Sequence, residues 1–344
     1  MSQTATTQAI PKTQHACQIV AINAPLEVRE IEAPAEKDLQ PHQILLKIAA
    51  SGLCHSDLEY VKGIFPVPLP VTASHEGTGT VIAVGKDVAR FRPGDRVLAG
   101  QTFDRCGNCE DCNGPEEFRH YCFNRGPMMT GQGRNGAFQQ YLIIDGKEAT
   151  IIPEKMSFAT AAPLACAGMT AWGAINRAGL KPGEWLGIVG SGGGLGHLAI
   201  QFAKKAWGLK VIAIDARDEG LALSKEMGPD LVLDARKGKD DVVAEVMKAT
   251  GTGVHATLEL SGHPTAAETG SAITRPHGRF VQVAIVSTTY QSKTFLFLLD
   301  ANTEIRSDRA SLHSSPRVPL PRYSSHRVFD GVAATDRSNV ERRC

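Results

Sequence analysis

From Trp185 onward, short apolar runs alternate with amphipathic stretches, and a glycine-rich turn marks the first junction. Trp185–Val189 reads as a strand, Leu195–Trp207 as a helix and Lys210–Asp215 as a buried strand. The same rhythm continues through a helix at Asp218–Met227, a strand at Leu231–Asp234 and a helix at Asp241–Thr250. It closes with a strand at His255–Leu260, a helix at Pro264–Thr274 and a strand at Arg279–Ile285. Strands separated by helices of this length pair in parallel, so the pattern dictates βαβ units on one doubly wound parallel sheet.

The turn at the first junction is Gly190-Ser191-Gly192-Gly193-Gly194-Leu195-Gly196. Glycines there let the backbone turn tightly and approach a pyrophosphate, and the following helix offers free N–H groups and the positive end of its dipole. Gly190, Gly192, Gly193, Gly194, Leu195 and Gly196 are therefore candidate cofactor-binding residues in the strand–turn–helix context that the motif requires. Asp215 ends the next strand, where a carboxylate can bind both ribose hydroxyls of an adenosine and repel a 2′-phosphate. NAD is expected rather than NADP, a preference that Arg217 weakens. The plainer reading of Asp215 is a cap on the following helix.

Up to about residue 150 the chain reads instead as short strands broken by Gly and Pro, including Gln43–Ala49, Gly79–Val84 and Arg96–Ala99, with turns at Pro93-Gly94-Asp95 and Asp145-Gly146. Such frequent turns suggest an all-β partial barrel. Within it, Cys106, Cys109, Cys112 and Cys122 place four thiols in seventeen residues. Thiolates at this spacing close a tetrahedral shell around one Zn²⁺ and leave no position for water, which makes the site structural. A disulfide pair is the alternative, but no export signal precedes these thiols and clustered Cys in a reducing compartment favours zinc. Cys54, His75 and Cys166 remain. Singly each reads as an ordinary core residue. Together two thiolates and one imidazole form an open zinc set with one position for water or substrate, and Cys166 falls at the expected domain junction.

The 344 residues suit two domains, and Lys+Arg 37 against Asp+Glu 36 gives no reason to expect nucleic acid or an anionic membrane as partner. No apolar run is long enough to span a bilayer, and Met1–Ala16 lacks signal-peptide or transit-peptide character, so a cytoplasmic protein is expected. After Ile285 the alternation fails: Lys293 is the last lysine, Ser, Arg and Pro dominate, and Phe295–Leu299 is the one strong apolar run. Such a composition offsets little of its ordering entropy, so a poorly ordered tail is expected from about residue 300.

GLCHSD, SHEGTG, the four-thiol lobe, PLACAGMTAWGA and VGSGGGLGHLAIQFAKKAWG, in that order, resemble a zinc-dependent alcohol dehydrogenase of the medium-chain dehydrogenase/reductase family over about residues 17 to 285. The resemblance implies a GroES-like partial β-barrel at 1–160, with a structural zinc lobe at about 104–124, then a Rossmann domain at 161–299 and an irregular tail at 300–344. It implies two Zn²⁺ per chain. Cys54, His75 and Cys166 would hold the catalytic ion, and the Cys106 cluster the other. Ser56 would bond the substrate oxygen and accept its proton, Asp57 would lie behind the metal ligands, and His55 would face the cofactor pyrophosphate. Glu76 would sit beside the metal as a transient ligand, and Phe65 and Phe103 would line the substrate pocket. The implied reaction is reversible hydride transfer from small primary alcohols to NAD, in a homo-oligomer.

Three positions depart from the family. Glu59 stands where many relatives carry the histidine that ends the proton relay, so the relay is expected to end in water or in Glu59. Ser74 replaces the glycine often found before the ligand histidine, and the Cys112–Cys122 spacer is longer than usual. The stretch Val286–Cys344 does not align with the family's last strand and subunit interface. Alternatives are a polyol or secondary-alcohol dehydrogenase on the same scaffold, or a non-catalytic remnant that binds zinc and nucleotide.

Overall fold

The computed structural model describes residues 10–284 apart from 103, 116–118, 120, 123 and 125–128, so the expected tail and Phe103 lie outside the described residues. The N-terminal part holds two antiparallel sheets. One has the order β2-β1-β4, from β1 (Thr13–Ile19), β2 (Glu27–Glu32) and β4 (Val71–Thr72). The other has the order β7-β3-β5-β6-β8, from β3 (Gln43–Gly52), β5 (Glu76–Val84), β6 (Arg96–Leu98), β7 (Tyr141–Asp145) and β8 (Thr150–Ile151). Alternation along the strands divides the second sheet's faces. Ile44, Leu46, Val81, Val97, Leu142 and Ile144 fill one core, whereas Leu45, Ala83 and Tyr141 turn to the other side. β3 and β5 run three residues further than the sequence pattern suggests, to Gly52 and back to Glu76. These extensions end next to Cys54 and His75.

The C-terminal part is a five-stranded, all-parallel sheet of order β11-β10-β9-β12-β13. Its strands are β9 (Trp185–Val189), β10 (Lys210–Asp215), β11 (Leu231–Asp234), β12 (Val254–Glu259) and β13 (Thr274–Gln282). Leu186, Ile188, Val211, Ala213, Ala256 and Leu258 pack under α4 (Ala167–Ala178) and α5 (Gly194–Lys205). Val189, Ile212, Ile214 and Val254 face the other way, under α7 (Lys239–Thr250) and α8 (Ala266–Ile273). Both faces are covered, which is why the strands read as continuous apolar runs. This is the expected Rossmann sheet. Most boundaries shift by one or two residues; the largest shift is at β13, which begins at Thr274 rather than Arg279, with a register irregularity between Val254 and Ala256 of β12.

Candidate active site

Three separate stretches bring four donors to one point. β3 delivers the chain to Cys54, the N-cap of α1 (His55–Val61). His75 immediately precedes β5, with Glu76 as its first residue. Cys166 ends a 3₁₀ turn, Ala162–Ala165, and caps α4. Ligand atoms of Cys54, His75, Glu76 and Cys166 all lie within 4.8 Å of one another. The Cys54 and Cys166 sulfurs are 3.8 Å apart, far beyond a disulfide bond. Zinc–sulfur bonds of about 2.3 Å at the tetrahedral angle require a sulfur–sulfur edge of about 3.8 Å. His75 is 2 % exposed, and its Nδ1 has no hydrogen-bond partner. Two thiols at an ion's edge length, with a buried imidazole and a carboxylate within 4.8 Å, fit a zinc ion.

Buried carboxylate support surrounds the donors. Asp57, 1 % exposed, accepts from Cys54 N at 2.8 Å and Ser74 N at 3.1 Å, and its Oδ1 lies 3.8 Å from His75 Nδ1. It thus fixes both backbone segments that carry ligands. The hydrogen bond from Cys166 holds the Cys54 thiol well down, and that same shared proton, with burial, pushes Cys166 up. Burial, then the neighbouring Cys54 thiolate, raises Glu76 to about 7. A divalent cation at this point favours both thiolates.

The other expected residues are spread around this centre. Ser56 Oγ lies 3.7 Å from Cys54 Sγ. His55 is solvent-exposed, and its Nε2 is 3.2 Å from Glu59 Oε1, which also accepts from Lys62 Nζ at 2.9 Å. Glu59 is thus engaged on both sides, by the His55 imidazole and the Lys62 ammonium, a pairing that the sequence reading of a relay terminus did not include. Phe65 packs beside Tyr60, ring centroids 5.6 Å apart, in the cluster of Ile19, Val71 and Ala73. One contributor was missed by sequence reasoning: Gln101 Nε2 donates to Ala165 O at 2.7 Å, pinning the residue before Cys166. No local motif marks that glutamine.

In the lobe, the Cys106, Cys109, Cys112 and Cys122 sulfurs stand 3.6 to 3.9 Å apart in the pairs Cys106–Cys122, Cys109–Cys122 and Cys106–Cys112. All four fall within 4.8 Å of one another. These again are tetrahedral edges. Gly107, at φ +75°, opens the turn so that its N–H donates to Cys112 Sγ at 3.3 Å. Cys109→Ser is expected to lower zinc content by one ion per chain and to reduce the melting temperature by several degrees, read by metal analysis and calorimetry. A third group, His42, Asp104 and Asp145, is taken up internally: Asp104 accepts from His42 and Arg134, both at 2.9 Å.

At the sheet's carboxyl edge, Gly190 turns at φ +82°, and Gly193 caps α5. Gly192 N donates to Asp215 Oδ2 at 2.9 Å. Asp215 Oδ1 accepts from Ala216 N and Arg217 N, with Arg217 Nε at 3.3 Å. Burial alone raises Asp215, but the N–H groups of Arg217 and Gly192 and the guanidinium outweigh it and hold the carboxylate below its usual range. Asp215 therefore ties the glycine loop to the neighbouring strand. Leu195 packs into the core beneath α5, and nothing lies over the Cα of Gly194, which leaves the helix N-terminus open for an anion.

A metal-ligating partial barrel joined to a parallel sheet with a glycine-loop crevice defines a class, the two-domain nucleotide-dependent oxidoreductases. Residues 40–154 match the family model described as alcohol dehydrogenase GroES-like domain, and residues 194–315 the one described as zinc-binding dehydrogenase. The second match extends past the point where periodicity fades. An alcohol dehydrogenase of Schizosaccharomyces pombe is 38 % identical over 278 residues, covering 80 % of this chain and 77 % of its own. One from Geobacillus stearothermophilus is 37 % identical, covering 76 % and 74 %. A solved NAD-dependent alcohol dehydrogenase superposes with a TM-score of 0.73 at 26 % identity, covering 84 % and 82 %. The chain belongs to the zinc-type alcohol dehydrogenases of the medium-chain dehydrogenase/reductase family. Among the described residues no single helix is long and apolar enough to cross a membrane.

Proposed function

We propose that this chain oxidises small primary alcohols to aldehydes, reversibly, with Cys54, His75 and Cys166 as catalytic zinc ligands and NAD as hydride acceptor. The observation that carries the reading is the meeting of those three donors within one ion's reach. When bound, zinc acts as a Lewis acid that lowers the pKa of an alcohol's hydroxyl, and NAD carries the hydride. Ser56, beside Cys54, holds the substrate hydroxyl and takes its proton. Asp57 keeps Cys54 and His75 aimed, and Glu76 is the spare ligand. His55 reaches the pyrophosphate. Glu59, clasped by His55 and Lys62, keeps that imidazole in place, and the relay ends in water. Cys106, Cys109, Cys112 and Cys122 hold the second, structural ion. The division is a GroES-like domain at 1–160 followed by a Rossmann domain from 161 onward, in a cytoplasmic homo-oligomer.

Zinc analysis of the purified chain with an ethanol/NAD⁺ assay tests this. Two zinc ions per chain and NADH formation are expected. NADH binding without turnover, at one ion per chain, overturns it in favour of a non-catalytic remnant. Cofactor choice gives a second expectation. Asp215→Ala is expected to weaken NAD binding about 10- to 100-fold, the worth of hydrogen bonds to a charged group. The KM ratio for NADP over NAD falls, because Arg217 loses its carboxylate partner. With its pKa depressed, Asp215 keeps its charge to lower pH than an ordinary carboxylate, so NAD affinity of the parent chain is expected to fall later on acidification than a free carboxylate would predict.

A further inference from the structure

Ser74 is fully buried, yet its backbone is left-handed, at φ +73°. A residue with a Cβ pays for that conformation, and such strain persists only where its surroundings over-determine it. The surroundings do so here. The Ser74 carbonyl accepts from Ala137 N at 2.7 Å, and Gly131 and Gly136 press so close that a Cβ on either would stand 2.5 Å or 2.0 Å from that oxygen. Its N–H is held by Asp57 at 3.1 Å.

The hydroxyl then makes contacts that glycine cannot make. Ser74 Oγ donates to Gly52 O at 2.8 Å and accepts from Glu76 N at 3.2 Å. Ser51 Oγ lies 2.8 Å away and also donates to Glu76 O at 3.3 Å. Gly52 lies two residues before Cys54, and Glu76 directly follows His75. One side chain therefore staples the end of β3 to the start of β5.

We infer that Ser74 is a positioning residue whose hydroxyl sets the distance between the Cys54 and His75 donors and so tunes how tightly the catalytic zinc is held. The inference rests on the assignment of Cys54, His75 and Cys166 as ligands. The reason for tolerating strain at this position is the staple: glycine supplies the turn alone, whereas serine supplies the turn and a fixed ligand spacing.

Two variants of the full, metal-loaded chain separate strain from staple. Ser74→Gly relieves the left-handed strain and removes the hydroxyl. Ser74→Ala removes the hydroxyl and keeps the strain. Both are expected to release the catalytic zinc to a competing chelator with about 10- to 100-fold lower affinity, the usual cost of losing an outer partner of a metal site. Both are expected to shift the visible spectrum of the Co²⁺-substituted chain. Ser74→Gly melts near the parent temperature and Ser74→Ala below it. If Ser74→Gly binds zinc as tightly as the parent, with an unshifted Co²⁺ spectrum, the hydroxyl only fills space and the inference falls. A parent chain that holds zinc only in the four-thiol lobe overturns the ligand assignment instead.

Discussion

Cys166→Ala is expected to leave a folded chain that carries one zinc ion instead of two and oxidises ethanol at least about a thousandfold more slowly, roughly 4 kcal/mol of lost transition-state stabilisation. Folding survives because the Cys166 side chain makes no cap hydrogen bond to α4, although the residue is its N-cap. The ion is lost because the remaining donors are poor. Cys54 and His75 keep their places through Asp57, but Glu76, whose ionised form is disfavoured by burial and the Cys54 thiolate, is a weak substitute. Metal analysis, NADH formation and a thermal melt read the three parts of this expectation separately. Two ions per chain, or near-parental turnover, would show that Cys166 is not a ligand.

Gly192→Ala is expected to abolish measurable NADH binding and to lower the melting temperature. A Cβ at Gly192 would stand 2.1 Å from Gly220 O and 2.2 Å from Gly220 Cα. Those are backbone atoms of α6 (Asp218–Glu226), so no side chain can swing aside. Overpacking of this kind costs about 1–3 kcal/mol. It also drags Gly192 N from Asp215 Oδ2, which disturbs the proposed adenosine crevice. Fluorescence titration with NADH checks the first effect and calorimetry the second. The zinc content should stay at the parent value, because both metal groups lie outside this loop. A control is Gly194→Ala, where the added Cβ meets nothing within 4 Å, so little loss of stability is expected.

Much of the fold was legible in the chain because its signals are local. A parallel sheet covered on both faces produces contiguous apolar runs such as Lys210–Asp215, and the helices between them keep a separate period. The four-thiol lobe was equally legible, since all its donors come from one short stretch. The position of β13's start was not, because a bulge against β12 leaves no mark in composition. Nor was the pairing of Glu59 with His55 and Lys62: helical spacing permits it, but which partner wins depends on rotamers.

The candidate site divides in the same way. Its donor types were present in the sequence at Cys54, His75 and Cys166, and family likeness joined them; no spacing along the chain brings them together. Their convergence is decided by β3, β5 and the turn before α4 meeting at one point, a matter of packing across more than a hundred residues of chain, as the Cys54–Cys166 pair attests. Ser74 carries this furthest. The chain by itself determines only that a serine stands before a histidine. The tertiary structure decides that its backbone is left-handed, and it points the hydroxyl at Gly52 and Glu76. The physical reason is range: backbone periodicity and turn chemistry are written over a few neighbours, whereas the direction of a buried hydroxyl is set by whichever distant strands close around it.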